Sequence, residues 1–408
     1  MDFDDSPEER ALRAQARAWL DEHATRIDHS SLEGMRTYRA HTEEQDLALL
    51  EDARAWQRTK AQVGWAAPHW PVEHGGMGLP PLLAGIFAAE EQHYDVAGNM
   101  FSVGVGMAGP TIIEWGTDEQ RTEFLPRILD ADHIWCQLFS EPGAGSDLAG
   151  LSTRAVPDGD EWVITGQKVW TSAAHYSNWG ILLARTDPDV PKHRGITAIL
   201  VPMDSAGIDV RPLRQIDGAI HFNEVFLDEV RVPVANTLGP VGGGWGVALT
   251  MLAHERASIG GGGMYNLDQV VALARAAADT TDPIVRQRLA DLHTRFEILR
   301  FLGYRVRTAA ARGELPGPES SVMKLAVSAL YETGGDLVVA LQGAAGMLTH
   351  DDAPFGGRFQ DLFMGQWAPR IGGGTDQIQR NIIGERVLGL PGEVRSDKDV
   401  PFRELRHA

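Results

Sequence analysis

The sequence is poor in several features, and each scarcity excludes something. It has one cysteine, Cys136, in 408 residues, which rules out a disulfide framework within the chain and fits a reducing compartment. Positive charge is scarce: 37 Lys and Arg stand against 56 Asp and Glu, a formal net charge of −19. Such a surface argues against general binding to nucleic acid or to an anionic membrane, both of which favour a positive face. No apolar run reaches the roughly 18–20 residues that a bilayer span needs. The opening Met1-Asp2-Phe3-Asp4-Asp5 lacks the basic-then-apolar pattern of an export signal. A cytoplasmic protein without a membrane segment is therefore expected. Metal chemistry finds little support either. His254-Glu255 begins like a zinc-protease helix, but Ser258 stands where the second histidine belongs.

What is present is ordinary globular material, 43% hydrophobic and 23% charged. The length suggests two or three packed subdomains. The first stretch reads as helical: over 8–24, Leu12, Ala16, Trp19 and Leu20 share one face, and over 43–63 Leu47, Leu50, Ala53 and Arg54 recur at helical spacing. Between them and two further helical runs, near 81–97 and 118–130, the breaker-rich segment Pro68 to Pro80 must be a loop. From about 133 to 235 the pattern changes to short β-rich runs, at 162–164, 168–171, 181–183, 197–201 and 225–227, separated by turn signals such as Pro157-Asp158-Gly159-Asp160. Strands at that spacing without helices between them predict an antiparallel sheet or small barrel. Helical periodicity then returns, with long helices over 283–312 and 318–342 and a last one from Asp376 to about Leu388. The expectation is an α+β multidomain chain: a helical N-terminal domain over 1–132, a middle β domain over 133–238 and a helical C-terminal domain over 239–408.

Three segments carry candidate chemistry. Leu138-Phe139-Ser140-Glu141-Pro142-Gly143-Ala144-Gly145-Ser146-Asp147 joins a strand to a glycine-rich loop, where backbone amides can approach a ligand and Ser140 and Ser146 offer hydroxyls. It is not a dinucleotide fingerprint, because Leu148 holds the third glycine position. Otherwise it is a plain surface turn. Gly166-Gln167-Lys168-Val169-Trp170-Thr171-Ser172 sets a tryptophan and two hydroxyls on a strand, an arrangement that packs against a planar ring and bonds its edge. The alternative is that Trp170 is core. Ile371-Gly372-Gly373-Gly374-Thr375-Asp376-Gln377 opens a helix with free N–H groups, and Thr375 reads equally as an N-cap.

These segments, in this order and separation, resemble the signatures of the acyl-CoA dehydrogenase family. Gly75-Gly76-Met77-Gly78 near the start and Gly384-Glu385-Arg386-Val387-Leu388-Gly389-Leu390-Pro391 near the end join them, so the resemblance runs from about residue 8 to 392. It implies a helical N-terminal domain, an antiparallel β-barrel-like middle domain and a C-terminal four-helix bundle. It also implies FAD as cofactor, an acyl-CoA substrate and a tetramer, with electrons passed to an electron-transferring flavoprotein or another acceptor. Carried over by position, Phe139, Ser140, Gly145 and Ser146 would contact flavin or substrate. Trp170, Thr171 and Ser172 would lie along the isoalloxazine ring, and Thr375 and Gln377 would reach the cofactor from the last helix. Gly343 and Gly346 resemble the loop that approaches it from a neighbouring subunit. CoA is itself anionic, so its site must be a local patch set against the acidic field.

Many members of the family place the catalytic glutamate just before the Gly-Thr of the last motif. Here that position is Gly373, which carries no side chain. A minority carries the base on an earlier helix in a Glu-Arg pair, and Ala253-His254-Glu255-Arg256 fits that pattern. Glu255 is thus the candidate base, Arg256 a candidate for the substrate region, and the Gly373 and Gly374 backbone a candidate donor to the thioester oxygen. Ser258-Ile259-Gly260-Gly261-Gly262-Gly263 continues that helix. Each interior glycine costs roughly 0.5–1 kcal/mol relative to alanine, so the run either widens an acyl cavity or permits close helix packing. An oxygen-reactive flavin oxidase or monooxygenase on the same fold, and a non-catalytic chain of a mixed tetramer, are the alternatives; the complete motif set favours a self-sufficient homotetramer.

Overall fold

The structure is a computed structural model that describes residues 5–28, 32, 42–97, 100–259, 266–311, 320–349, 352–392 and 397–405. In chain order come α1 (Pro7–His23), α2 (Glu43–Ala61), α3 (Pro81–Glu91), α4 (Gly109–Trp115) and α5 (Asp118–Leu129). The strands are β1 (Trp135–Leu138), β2 (Arg154–Asp158), β3 (Glu161–Ser172), β4 (Trp179–Arg185), β5 (Ile196–Pro202), β6 (Ile208–Leu213), β7 (Phe222–Pro233) and β8 (Thr237–Leu238). Helices α6 (Gly244–Ile259), α7 (Leu267–Ala277), α8 (Pro283–Ala311), α9 (Ser320–Leu341), α10 (Arg358–Gly365), α11 (Ala368–Ile371) and α12 (Asp376–Ile382) follow. The order is helical, then β, then helical, as the sequence predicts. Among the described residues no helix is long and apolar enough to cross a membrane.

The chain forms two compact units, and both are discontinuous: Met1–Tyr38, Leu79–Val96 and Arg256–Gly392 make one, while Arg39–Gly78, Ala97–Glu255 and Glu393–Ala408 make the other. The second unit is built on the sheet, whose strands run β6-β7-β3-β2-β4-β5-β8 with β1 beside β4. Most pairings are antiparallel, but β1 and β2 both run parallel to β4. The two runs expected at 162–164 and 168–171 are one strand, β3, because the long β7 pairs with it throughout and absorbs two register breaks.

β4 and β5 are buried almost end to end, and the two-residue period of a strand divides their side chains between opposite faces. Ile181 and Leu183 join Phe124, Leu125 and Ile128 of α5 and Val247, Ala248 and Met251 of α6 in one core. Leu182 and Ala184 join Ile164, Val225, Leu227 and Val230 in the other. The breaker-rich loop 68–80 is held by Trp70, which is 1% exposed and donates its indole N–H to the Val105 carbonyl at 3.1 Å. Gly76 is required there, because a Cβ would stand 2.1 Å from the Trp70 carbonyl oxygen.

In the first unit, α9 is the common partner of the C-terminal helices. Leu330, Tyr331, Leu337, Val338 and Leu341 of α9 pack against Val270 and Leu273 of α7, Leu292 of α8, and Phe359 and Leu362 of α10. α1 begins with a capping box in which Ser6 accepts from the Glu9 amide and Glu9 accepts from the Ser6 amide. Its buried face is Ala16 and Leu20, with Leu12 and Trp19 half-buried, as the periodicity indicates. α2 follows its pattern less well: Leu50 and Ala53 are buried, but Leu47 is exposed. α1 and α3 share a buried carboxylate, Glu90, which takes Arg13 and Arg17 at 2.6 Å each.

Leu183 is fully buried and paired with Ala198 of β5, and its truncation leaves a void that a packed core cannot close. Leu183→Ala is expected to lower unfolding stability by about 2–5 kcal/mol, read as a lower denaturant midpoint with an unchanged slope.

Candidate active site

The glycine-rich loop leaves β1 at Leu138 and is fixed by a buried charge pair. Lys168 of β3 is 0% exposed; its ammonium donates to Glu141 Oε1 at 2.8 Å and to the Phe139 carbonyl at 3.0 Å. Glu141 accepts further bonds from the Thr153 amide at 2.9 Å, and from the Ser152 amide and hydroxyl at 2.7 and 2.9 Å. Every Glu141 lone pair that faces protein is thereby used, which is what makes a buried carboxylate tolerable. Burial opposes its ionisation, but Lys168 and these donors prevail and hold the carboxyl down at about 2. Burial pushes the Lys168 ammonium down from its ordinary value, and Glu141 resists that shift. Ser140 accepts from the Val169 amide at 2.9 Å through its carbonyl, so loop and strand are tied again. The result is a rigid base with an open top. Phe139 is buried, Ser140 half-buried, and Ser146 exposed. A Cβ at Gly143 or Gly145 would meet no protein atom within 4 Å.

Two residues beyond Lys168, β3 presents Trp170. It is not core: the side chain is 61% exposed and its ring stands edge-on to Phe222, 5.9 Å between centroids. Trp170 lies in the second register break of β3 and adopts φ +60°, and Ala173 adopts φ +61°. Non-glycine residues in the left-handed region are sparse and cluster at functional sites; here two of them bracket Thr171 and Ser172. Thr171 is 1% exposed, its carbonyl accepts from Asn223 at 3.0 Å, and its hydroxyl has no protein partner. The same unit therefore offers a flat exposed ring, a buried unpaired hydroxyl and a glycine loop tied to the same strand.

Glu255 belongs to α6. Val247, Ala248 and Met251 form the buried stripe of that helix. Glu255 lies one turn beyond Met251 and two beyond Ala248, so it continues that stripe rather than the outer face, and it is half-buried. A solvated surface glutamate would sit elsewhere. One turn back, Thr250 donates to Glu114 at 3.1 Å and accepts from the Trp115 indole at 3.0 Å. Burial lowers His254 below its ordinary value, with Glu114 opposing; burial and then the neighbouring His254 lower His69. The side chain of Arg256 and the whole Gly260–Gly263 run lie outside the described residues.

The remaining candidates lie in the other unit. Thr375 is an N-cap, its hydroxyl accepting from the Ile378 amide at 3.2 Å. Gly373 and Gly374 have φ of +63° and +84°, and buried Gln379 donates to their carbonyls at 3.0 and 3.4 Å. Asp376 pins this turn to α9, accepting from Lys324 at 3.0 Å and Ser328 at 2.8 Å. Gln377 is exposed. Gly343 opens a short turn with φ +57°, and Gly346 lies against Val339, where a Cβ would stand 2.7 Å from a carbonyl oxygen. Gln360 donates to Gln342 at 3.3 Å and to the Ala345 carbonyl at 3.2 Å, which holds that turn.

Sequence reasoning placed Phe139, Ser140, Gly145, Ser146, Trp170, Thr171 and Ser172 in a middle domain and Glu255 in a C-terminal one, whereas one compact unit, with Ala97–Glu255 as its main stretch, contains them all. Sequence reasoning also missed the residues that hold them. Glu141 and Lys168 both sit inside the quoted motifs, and a lysine amid strand residues was the available signal. Lys168→Met strands a buried carboxylate and is expected to destabilise by about 3–5 kcal/mol, and Glu141→Gln added to it recovers most of that. Because the folded Glu141 carboxyl is lowered from 4.5 to about 2, its contribution is complete above pH 4.5 and disappears as pH falls through 2. Chemical denaturation of wild type and Glu141→Gln across that range checks this: the stability difference between them should shrink with acid.

Three kinds of match bear on identity. Residues 6–132 match the N-terminal domain, 136–230 the middle domain and 242–388 the C-terminal domain of acyl-CoA dehydrogenase. The acyl-CoA dehydrogenase IpdE1 of Mycobacterium tuberculosis is 40% identical over 389 residues, covering 94% of this chain and 98% of that protein. Among solved structures, the Tcur3481-Tcur3483 steroid ACAD is 29% identical over 96% of this chain and 100% of that one, with a TM-score of 0.80. The ChsE4-ChsE5 complex from Mycobacterium tuberculosis is 30% identical with the same coverages and a TM-score of 0.77. The fold, the motif order and these matches agree, and the chain belongs to the acyl-CoA dehydrogenase family.

Proposed function

We propose that the chain catalyses FAD-dependent α,β-dehydrogenation of an acyl-CoA thioester to the trans-2-enoyl thioester, with Glu255 as the base. The observation that carries this reading is the position of Glu255 at the end of the buried stripe Ala248–Met251. A carboxylate partly removed from water is a stronger base toward a weakly acidic α-proton than a solvated one. The position that holds the glutamate in much of the family supports the same assignment from the other side. Gly373 has φ +63°, a conformation that costs a side-chain-bearing residue about 1–2 kcal/mol.

The residues present suit a flavin. Trp170 offers an exposed planar face, the buried Thr171 hydroxyl is unpaired, and Gly143 and Gly145 leave open space above a fixed loop. Phe139, Ser140, Gly145, Ser146, Trp170, Thr171 and Ser172 are proposed cofactor contacts, as are Thr375 and Gln377 of the last helix, with Gly343 and Gly346 proposed as the loop that a neighbouring subunit contributes. FAD, when bound, supplies the hydride acceptor. The chain's own groups do the rest: Glu255 receives the α-proton, and the amides of Gly373 and Gly374 donate to the thioester oxygen as negative charge develops there. Ser146 and Arg256 are proposed on the substrate.

For the acyl group we infer a bulky, steroid-derived chain, supported by likeness to the steroid ACAD of 29% identity. The proposed assembly is a homotetramer, since motif set and base occur in one chain, and an electron-transferring flavoprotein is the proposed acceptor. The proposed domain limits are 1–132, 133–238 and 239–408, and the proposed setting is the cytoplasm.

An anaerobic titration of the yellow protein with steroid-derived and linear acyl-CoAs tests this. Wild type should lose its oxidised-flavin absorbance with a steroid-derived thioester. Glu255→Gln should retain flavin and reduce it about 100- to 10,000-fold more slowly. Equal bleaching by the variant would remove Glu255 as base, and no bleaching of wild type by any thioester would remove the reaction.

A further inference from the structure

The glycine-rich loop is held by the far end of the chain. Residues 397–405 lie along the β4–β5 connection, where the Phe402 amide donates to the Val190 carbonyl and the Arg403 amide to the Pro188 carbonyl, each at 3.0 Å. Pro191 and Pro401 form a β-bridge, and Arg403 pairs with Asp189. The segment is seated: Phe402 is 7% exposed.

Two cations connect this seat to the loop, one on each flank. Lys192 donates to Asp147 at 3.0 and 3.1 Å and pairs with Asp397 at 3.1 Å. Asp147 directly follows Ser146. Arg185 is buried, and its guanidinium covers the Phe402 ring with 3.8 Å between them. The same guanidinium donates to the Ala149 carbonyl at 2.7 Å, the Leu151 carbonyl at 3.2 Å and the Lys192 carbonyl. Each cation thus has one end on the loop and the other on the C-terminal segment. A lysine between two carboxylates, itself only 15% exposed, has little conformational choice left. A guanidinium packed on an aromatic face is likewise fixed in plane.

We propose that residues 397–405 are a clasp that positions the Gly143–Leu151 loop for cofactor and substrate, with Lys192, Asp397 and Phe402 as its positioning residues. The functional half of this rests on the reading above that Gly145 and Ser146 contact flavin or acyl thioester. The mechanical half does not. Glu141–Lys168 anchors the start of the loop, and the clasp anchors its end, leaving Gly143–Ser146 as the span between two fixed points. Removing the clasp frees one end, so local opening becomes easier without unfolding the sheet.

Amide hydrogen exchange on the full flavin-loaded chain reads this directly. In Phe402→Ala and Lys192→Met, peptides covering 143–151 should exchange about tenfold faster while β4 and β5 peptides keep their wild-type rates. Lys192→Arg, which keeps the charge between the two carboxylates, should restore slow exchange. The Michaelis constant for the acyl thioester should rise about fivefold in Lys192→Met with kcat little changed, the pattern of lost positioning rather than lost chemistry. If Phe402→Ala does not fold, Asp397→Asn on the half-exposed side of the clasp carries the same measurement. Unchanged exchange across 143–151 in Lys192→Met and Asp397→Asn would overturn the clasp. Wild type that reduces no flavin would instead overturn the functional reading and leave the exchange result standing, so the two failures are told apart.

Discussion

The arrangement of the β unit hangs on one buried ion pair. Lys168 and Glu141 come from segments that carry separate motifs, and without their bond the glycine-rich loop and the Trp170 strand would be independent surface features. Charges this deeply buried are costly to desolvate, and a hydrophobic pair of the same volume would fill the space as well. What the pair adds is direction: Glu141 accepts from Lys168, Thr153 and Ser152 together, and only one placement of the loop satisfies all of them. Ala144, Leu148, Ala149 and Leu151 seat the loop in the adjoining core, while Gly143, Gly145 and Ser146 stay accessible.

The same logic recurs in the helical unit on a smaller scale. Asp376 is nearly buried and accepts from Lys324 and Ser328 of α9, and it fixes the turn whose glycines stand in the left-handed region. In both units the glycine turns, Gly143–Ser146 and Gly373–Thr375, are small or exposed, and charged groups one layer beneath hold them.

The outline of the fold was legible because helix and strand periods differ and the chain keeps each for long stretches. Ala16 and Leu20 on α1, and the apolar run Ile181–Leu183 of β4, are readable from composition and spacing. β3 was read as two runs because Thr165-Gly166-Gln167 interrupts its apolar pattern; only the partner strand β7 shows that it is continuous. Leu47 was assigned to a buried face that α2 does not extend to it. The motif residues were legible through resemblance, but Trp170 as an exposed platform was not decidable from sequence, since a strand tryptophan is more often core. The Lys192–Asp397 and Arg185–Phe402 contacts join positions hundreds of residues apart, and nothing in local pattern announces them.

Both compact units are assembled from three separate stretches of chain, and this bears on how the protein comes to be folded. α1 and α3 can meet early, with Arg13 reaching Glu90 across 77 residues of sequence. The helices from 256 to 392, which complete their unit, are made only after the sheet. During synthesis α3, which packs against α8, must wait for that partner while the whole sheet is made. Long-range closure of this kind slows folding and prolongs exposure to aggregation. The first unit is therefore complete only once the chain has been made through its C-terminal helices.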